Sequence, residues 1–352
     1  MSLQAGSYTH QEIMGQPQAW ETTLQAAEQQ IAPEDWLDKT SKLAYTLFVG
    51  CGSTYYLSLS IASLWRKLVG QPAWGLPASE VWLYPDYTLT TQAGDGLFIA
   101  VSRSGETTET LRALDIYQQR GSGSTLAVTC YADSSLARQA EHVWLARGAE
   151  EKSIAQTRSF TSMYLLLQVG AMLAAGRKDL LAQLRALPEQ FVQLVGKYEV
   201  LVKGLAENPR FERFIFLGSG ANYGLACEAM LKMKEMSLAP SEAFHFMEFR
   251  HGPKSVVAPG TLVVALPGEA ACQWEAQVLS EVRALGASVL AIAENGKGVV
   301  ADYMVELHSG LDELASRMLA MPFLQLVAYY RSLYRGLDPD HPNHLDAVVR
   351  LE

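Results

Sequence analysis

A loop rich in hydroxyl side chains follows an apolar run near residue 100. It contains Ser102, Arg103, Ser104, Gly105 and Thr107. Hydroxyl groups and the N–H groups at the start of a helix can converge on one anion, and a glycine lets the backbone approach that anion closely. The loop therefore predicts a phosphate-binding site. A simpler interpretation also stays open, in which Ser104 or Thr107 only caps the helix that begins near Thr107.

A second group of side chains could transfer protons. Lys232 and Glu235 are three residues apart in a helix-like stretch, so they share one face of the helix. A carboxylate there can take a proton from carbon while the lysine stabilises the enediolate charge that develops. His251 follows in a loop before a Gly-Pro pair, and imidazole acts as an acid or a base near neutral pH. Structural alternatives stay open: a surface ion pair for Lys232 and Glu235, and a loop histidine bonded to backbone.

The composition argues against several classes of function. A net charge of −9 disfavours a nucleic-acid partner, because binding to phosphate backbones needs a basic face. The four cysteines form no C-x-x-C pair and the histidines suggest no metal ligand set, so we expect no disulfide, no metal and no cofactor. The sequence also shows no secretory signal and no apolar stretch of the ~20 residues that a membrane helix needs. We therefore expect a cytoplasmic protein without a membrane partner.

An internal duplication supplies the elements that must position these side chains. The apolar runs 45–49 and 214–217 each end in a Gly-x-Gly turn, at Gly50 and Gly218, and each precedes a helix-like stretch. Further apolar runs follow in the same order in both halves, at 96–101 and 124–129 in the first and at 261–266 and 288–293 in the second. Short apolar strands that alternate with helices indicate parallel sheets with right-handed crossovers. The sequence therefore predicts an α/β fold of two doubly wound parallel-sheet lobes related by duplication.

The same pattern divides the chain into four predicted segments. They are an N-terminal helical segment (1–39), a first, phosphate-binding lobe (40–195), a second lobe (196–335) and a C-terminal tail (336–352). We further expect one N-terminal helix over about Gln11–Ile31. A helical hairpin over about Phe160–Val200 is expected to link the two lobes.

The Gly-x-Gly turns raise the alternative of a dinucleotide site. That motif needs a third glycine three residues later, so that the helix and the strand pack closely. Tyr55 and Tyr223 stand there instead, and no ribose-binding acid follows the second strand. The sequence therefore favours a sugar phosphate. In the second copy the glycines have a structural alternative, which is to permit a tight turn from strand to helix.

Several motifs together resemble the sugar isomerase (SIS) domain family, and most closely the isomerase half of glutamine–fructose-6-phosphate aminotransferase. The resemblance covers nearly the whole chain. It rests on Gly50-Cys51-Gly52-Ser53-Thr54, Ser102–Thr107, Ala155-Gln156-Thr157-Arg158, Leu231–Glu235, His251-Gly252-Pro253 and the tail that ends at Leu351-Glu352.

The resemblance implies a site for a sugar 6-phosphate. Its phosphate-binding and substrate-binding residues would be Gly52, Ser53, Thr54, Ser102, Arg103, Ser104, Thr107, Ala155 and Gln156. Glu235, assisted by Lys232, would move a proton between C1 and C2. His251, donated by the neighbouring subunit, would help to open the sugar ring, so the resemblance also implies a homodimer with shared active sites.

The chain departs from the synthase pattern in ways that change the expected reaction. We expect no glutaminase half, and Ala347 aligns with the tail lysine that can form a Schiff base. Arg103 replaces a common glutamine, and could add a charged fork to a phosphate or carboxylate; Gln156 replaces a common serine. We therefore expect a deaminase or deglycase of the glucosamine-6-phosphate or fructosamine-6-phosphate class, acting by aldose–ketose proton transfer with C–N cleavage. The alternative is a non-catalytic, sugar-phosphate-binding regulatory protein.

Overall fold

The computed structural model describes residues 5–89, 95–121 and 123–351. Residues 1–4 of the predicted N-terminal segment and Glu352 of the tail motif lie outside the described residues. The described chain forms two compact units, each with one five-stranded sheet. From here on, the first lobe means the described residues of 15–152, 156–185 and 346–351, and the second lobe means those of 5–14, 153–155 and 186–345.

The strands and helices alternate along both lobes. The strands are β1 (Tyr45–Gly50), β2 (Ala73–Pro77), β3 (Gly96–Val101), β4 (Gly123–Thr129), β5 (His142–Leu145), β6 (Arg213–Gly218), β7 (Ser241–Phe244), β8 (Thr261–Leu266), β9 (Ser288–Ala293) and β10 (Tyr303–Glu306). The α-helices are α1 (Ser7–Met14), α2 (Gln16–Gln30), α3 (Pro33–Ser41), α4 (Ser53–Val69), α5 (Ala78–Leu83), α6 (Pro85–Thr88), α7 (Thr108–Arg120), α8 (Ser135–Gln139), α9 (Arg158–Ala174), α10 (Lys178–Gln183), α11 (Leu187–Ala206), α12 (Ala221–Ser237), α13 (Phe246–Phe249), α14 (Cys272–Ala284), α15 (Glu313–Ser316) and α16 (Met321–Tyr334).

The two sheets have the same strand order. The first lobe has the order β2-β1-β3-β4-β5, and the second has the equivalent order β7-β6-β8-β9-β10, with every pairing parallel. All residues of β1 and β3 are buried, as expected for the central strands of a sheet that helices cover on both faces. This topology confirms the predicted α/β fold of two doubly wound parallel sheets.

The duplication is visible in the lengths of the elements and in the backbone. β6 and α12 each begin 168 residues after their counterparts β1 and α4, and α4 and α12 both contain 17 residues. Gly52 and Gly220 precede these helices with nearly the same backbone angles, φ 55° and ψ −122° against φ 58° and ψ −129°. Both values of φ lie in the left-handed region that glycine adopts without strain.

A second pair of glycines brings each helix close to its strand. A Cβ at Gly50 would lie 2.5 Å from Thr54 Oγ1, and one at Gly218 would lie 2.4 Å from the carbonyl oxygen of Asn222. Neither position therefore accepts a side chain. The first glycine of each Gly-x-Gly turn performs the packing role that the dinucleotide motif gives to its third glycine.

The helices outside the sheets differ from the sequence-based expectations. The single helix expected over Gln11–Ile31 is two helices, because Gly15 interrupts the run and Pro17 lies in the first turn of α2. The segment expected as a linking hairpin contributes α9 to the first lobe and α11 to the second. α9 is buried along almost its whole length, and it packs against α2 and α4. No helix in the described part of the chain is long and apolar enough to cross a membrane.

Candidate functional site

In the first lobe, the hydroxyl-rich loop lies at the carboxyl end of β3. The Gly50–Thr54 turn follows the neighbouring strand β1, from which the chain continues to β2 on the other side. Ligands of doubly wound sheets bind at such a point, where the strand order reverses. The fold therefore brings together the two predicted phosphate-binding segments of the first lobe.

The hydroxyl groups of the loop accept hydrogen bonds from the loop's own backbone. Ser102 Oγ accepts from the N–H of Gly105 at 3.1 Å, and Ser104 Oγ accepts from the N–H of Glu106 at 3.1 Å. Thr107 Oγ1 lies 3.4 Å from Ser102 Oγ. A serine oxygen that accepts from backbone keeps its own proton to donate. The geometry orients the two serine hydroxyls as donors, which suits an anion.

Gly105 fixes the shape of this loop. Its φ is +65°, and a Cβ there would lie 2.3 Å from the hydroxyl oxygen of Ser134. The carboxylate of Glu106 accepts from the N–H and the hydroxyl of Ser135, at 2.7 and 3.0 Å, and these bonds lower its pKa. The loop is therefore held against α8 from two sides.

The other predicted residues of the first lobe lie at helix starts. Ser53 is the buried first residue of α4, and Thr54 Oγ1 donates to the carbonyl of Cys51 at 2.9 Å. Gln156 precedes α9, and its side-chain oxygen is buried without a hydrogen-bond partner in the described part of the chain. Ala155, the neighbouring residue, is buried and is grouped with the second lobe.

The guanidinium of Arg103 is buried and is bound to other groups of the protein. Its side chain is 8% exposed, and its guanidinium donates to the carboxylate of Glu151 at 3.3 Å and to the carbonyl oxygen of Ala347 at 3.1 Å. Glu151 is fully buried, and it also accepts from Thr157 and Ser159 at the start of α9. Sequence reasoning did not single out Glu151, because a lone glutamate before a helix gives no distinctive pattern.

The equivalent place in the second lobe is filled by a side chain of the protein. Glu275 in α14 is 2% exposed, and its carboxylate accepts from the N–H of Gly268 at 2.7 Å and from the Ser219 side chain. Burial raises the pKa of this carboxyl. Next to it, a cavity of about 310 Å³ is lined in part by Glu269, Glu294 and Glu313. An anionic ligand is therefore disfavoured at this edge of the second lobe.

The predicted proton-transfer pair lies near the end of α12 in the second lobe. Lys232 is 1% exposed and forms ion pairs with Glu235 and, at 3.4 Å, with Glu228, which is 0% exposed. Glu235 is 19% exposed and is the most accessible of the three. The surface ion pair considered from sequence is therefore wrong, since the lysine is buried. Glu228 was missed, although its spacing of four residues before Lys232 is the helical signal for such a pair.

His251 lies outside α12, on a different element from this cluster. It is exposed, in the loop after α13, and its backbone N–H donates to the carbonyl of Glu248 at 2.9 Å. Within the described residues no hydrogen bond joins it to Glu235. The same part of the chain contains no group of three or more His, Cys, Asp or Glu side chains that could hold a metal ion.

Comparisons with known proteins agree with this fold. The SIS domain model matches residues 45–173 and 210–329, which correspond to the two sheets and their helices. The glutamine–fructose-6-phosphate aminotransferase of Methanothermobacter thermautotrophicus is 31% identical over 355 residues, which cover 99% of this chain and 58% of that protein. The chain thus spans less than two thirds of the length of this curated relative.

Two solved structures resemble nearly the whole chain. The C-terminal domain of the glucosamine–fructose-6-phosphate aminotransferase of Francisella tularensis has a TM-score of 0.82 at 26% identity, covering 94% of this chain and 97% of that one. The glucosamine-6-phosphate deaminase of Thermotoga maritima has a TM-score of 0.78 at 29% identity, covering 98% of this chain and 100% of that one. With its two matched segments and its duplicated parallel sheets, the chain belongs to the SIS (sugar isomerase) domain family.

Proposed function

We propose that the protein is an enzyme that removes an amine from an amino-sugar 6-phosphate of the glucosamine-6-phosphate or fructosamine-6-phosphate class. The relatives support the substrate class, since one similar structure is a glucosamine-6-phosphate deaminase and others belong to aminotransferases that use fructose 6-phosphate. The observation that carries the proposal is the pair of serine hydroxyls, Ser102 and Ser104, which backbone N–H groups orient as donors.

The loop at 102–107 would hold the phosphate. Ser102, Ser104 and Thr107 supply hydroxyl donors, and the N-terminal end of α7 adds the favourable end of its dipole. The net charge of −9 means that these local donors, and not the overall field, must attract the anion.

The cluster on α12 would move the proton. Glu235 is the accessible carboxylate, and its neighbour Lys232 provides a buried positive charge beside the position where enediolate charge develops. His251, exposed in its loop, would protonate the ring oxygen when the sugar opens and the anomeric hydroxyl gives up its proton. In a homodimer this histidine would come from the neighbouring subunit.

Proton transfer would convert the C–N bond into one that water can break. Moving the C2 proton of an opened 2-amino sugar to C1 gives an imine at C2, which water hydrolyses to a ketose phosphate and ammonia. In a fructosamine phosphate the opposite transfer gives an imine at C1, and hydrolysis releases an aldose phosphate and an amino acid. Neither route needs a tail lysine, and Ala347 offers no amine.

The experiment is a thermal-shift screen followed by product detection. Glucosamine 6-phosphate, fructose 6-phosphate and fructosamino-acid 6-phosphates should each be tested, because stabilisation grows with ligand concentration relative to Kd. Compounds that raise the Tm are then assayed for release of ammonia or amino acid. Failure of all three classes to stabilise the protein would refute the proposal.

The role of Glu235 is tested separately. Glu235→Gln should lower kcat by about 10²–10⁴-fold while leaving the thermal shift by ligand unchanged, because the amide cannot accept the proton. Glu212→Gln is the matched control, since Glu212 is an exposed carboxylate of the same lobe. Binding without turnover in the unaltered protein would favour the non-catalytic regulatory alternative.

A further inference from the structure

Residues 346–351, the part of the C-terminal tail that belongs to the first lobe, lie against the start of α7. The N–H of Thr108, the first residue of α7, donates to the carbonyl oxygen of Val349 at 3.3 Å. The N–H of Leu351 donates back to Thr108 Oγ1 at 3.0 Å. The tail therefore runs beside the loop at 102–107, and it uses one of the N–H groups at this helix start.

Arg103 connects this tail to the body of the lobe. One guanidinium nitrogen donates to the carbonyl oxygen of Ala347, and another donates to Glu151. Glu151 in turn accepts from the backbone N–H of Thr157 at 2.6 Å and of Ser159 at 3.2 Å. A single buried ion pair thus joins the hydroxyl-rich loop, the tail and the start of α9.

These contacts neutralise the charge of the Arg103 guanidinium and fix the orientation of its side chain. The carboxylate of Glu151 neutralises the guanidinium at 3.3 Å, and both groups are at least nine-tenths buried. A planar fork can hold a carboxylate and a carbonyl at a fixed angle, which a lysine ammonium does not do. Arg103 is therefore suited to holding the tail. Binding of the phosphate is left to the hydroxyl groups of the loop.

We propose that Arg103 is a positioning residue that fixes the tail at Ala347 beside the phosphate loop, and that phosphosugar affinity depends on Arg103 through the tail. The affinity part rests on the proposed function. A tail that is already ordered completes the site without an ordering cost on binding. This role replaces that of a direct phosphate ligand, which the sequence suggested for Arg103.

The tail itself is tested by proteolysis of the full chain. Arg103→Gln should increase the rate at which carboxypeptidase removes the tail several-fold, and Arg103→Lys should do the same, because charge without the fork does not hold the carbonyl. Unchanged protection in both variants would overturn the proposal. Circular dichroism and the Tm check that each variant is folded, because Arg103→Gln leaves the buried Glu151 without this cation. In the unaltered chain Glu151 also accepts from Thr157 and Ser159.

The link to affinity is tested by a double-variant cycle with fructose 6-phosphate as the probe. Leu351→Pro removes the N–H that bonds to Thr108, whereas Leu351→Ala keeps it and serves as the matched control. Arg103→Gln and Leu351→Pro should each raise Kd, by up to about 10-fold for the loss of one hydrogen bond that holds the tail. The Kd of the double variant should be no higher than the Kd of the single variant that binds more weakly. Two results would show that Arg103 acts directly on the phosphate. One is that the effects of the two single variants on the binding free energy add in the double variant. The other is that Arg103→Lys binds with full affinity although its tail is cut faster by the protease.

The two proposals fail in different ways. If the unaltered chain binds no phosphosugar, the proposed function is refuted together with the affinity part of this inference. The protease rates would still decide whether Arg103 holds the tail, because that measurement needs no ligand.

Discussion

Replacing Lys232 with methionine would test the buried charge cluster of α12. The ammonium of Lys232 lies 3.4 Å from an oxygen of Glu228, and the two side chains are 1% and 0% exposed. At an effective dielectric constant of ~20, opposite charges at that distance attract by about 5 kcal/mol. Methionine fills the volume of the lysine stem but leaves Glu228 buried without its cation. Breaking a buried pair from one side costs about 3–5 kcal/mol, or a fall in Tm of about 6–20 °C for a unit of this size.

The assay needs a local and a global measurement. Thermal unfolding followed by far-UV circular dichroism gives the Tm, and hydrogen exchange of α12 peptides reports the second lobe directly. Lys234→Met is the matched control, because Lys234 is exposed on the same helix and its loss should change stability by less than about 0.5 kcal/mol.

A double variant separates charge from packing. Glu228→Gln with Lys232→Met removes both charges, so it should recover at least half of the lost stability, since apolar or neutral replacement of a whole buried pair is often tolerated. The reasoning would be refuted by a Lys232→Met protein whose Tm lies within about 2 °C of the control. A double variant as unstable as the single one would refute it equally.

Three further predictions concern the first lobe. Gly105→Ala should lower the Tm far more than Gly121→Ala, because both glycines have positive φ but only the first has a side-chain oxygen 2.3 Å from the new Cβ; equal losses would contradict this. The lowered pKa of Glu106, caused first by the Ser135 N–H, contributes stability above the ordinary value of 4.5 that is lost as the pH falls. Melts should therefore show Glu106→Gln less stable than the unaltered chain at ~pH 6, with a difference in Tm that shrinks as the pH falls below 4.5. Burial raises the pKa of Cys51 to about 11, so peptide mapping after iodoacetamide at ~pH 7.5 should find it alkylated only in unfolded protein.

The central strands could be predicted from sequence, whereas the edge strands could not. β1, β3, β8 and β9 are continuous apolar runs because neighbouring strands and helices bury every residue. The missed strands are β2, β5, β7 and β10, which lie at the sheet edges. They are four or five residues long and partly exposed, and β2 ends in a proline, so their composition does not differ from that of loops.

The site could be predicted only where the chemistry is local in sequence. The hydroxyl groups around Ser102 and the pair of Lys232 and Glu235 lie within a few residues of one another, so spacing sufficed. The contacts of Arg103 join residues 48 and 244 positions away, and no local pattern carries that information. For this reason the sequence suggested a phosphate ligand where the structure shows a bond to the tail.

The carboxylate of Glu275 explains how a protein with two duplicated lobes can bind an anionic ligand in only one of them. Gly268 holds this carboxylate in the second lobe. A group attached to the chain competes with dissolved ligands as if it were present at millimolar or higher concentration. A free phosphate ester would have to displace this tethered competitor and overcome its charge. One acidic residue in α14 thus occupies the place that corresponds to the proposed phosphate site and leaves the sheet beneath it intact. If the first lobe binds the phosphate as proposed, ligand titrations of the whole protein should yield one phosphosugar per chain, because the carboxylate of Glu275 blocks the second lobe.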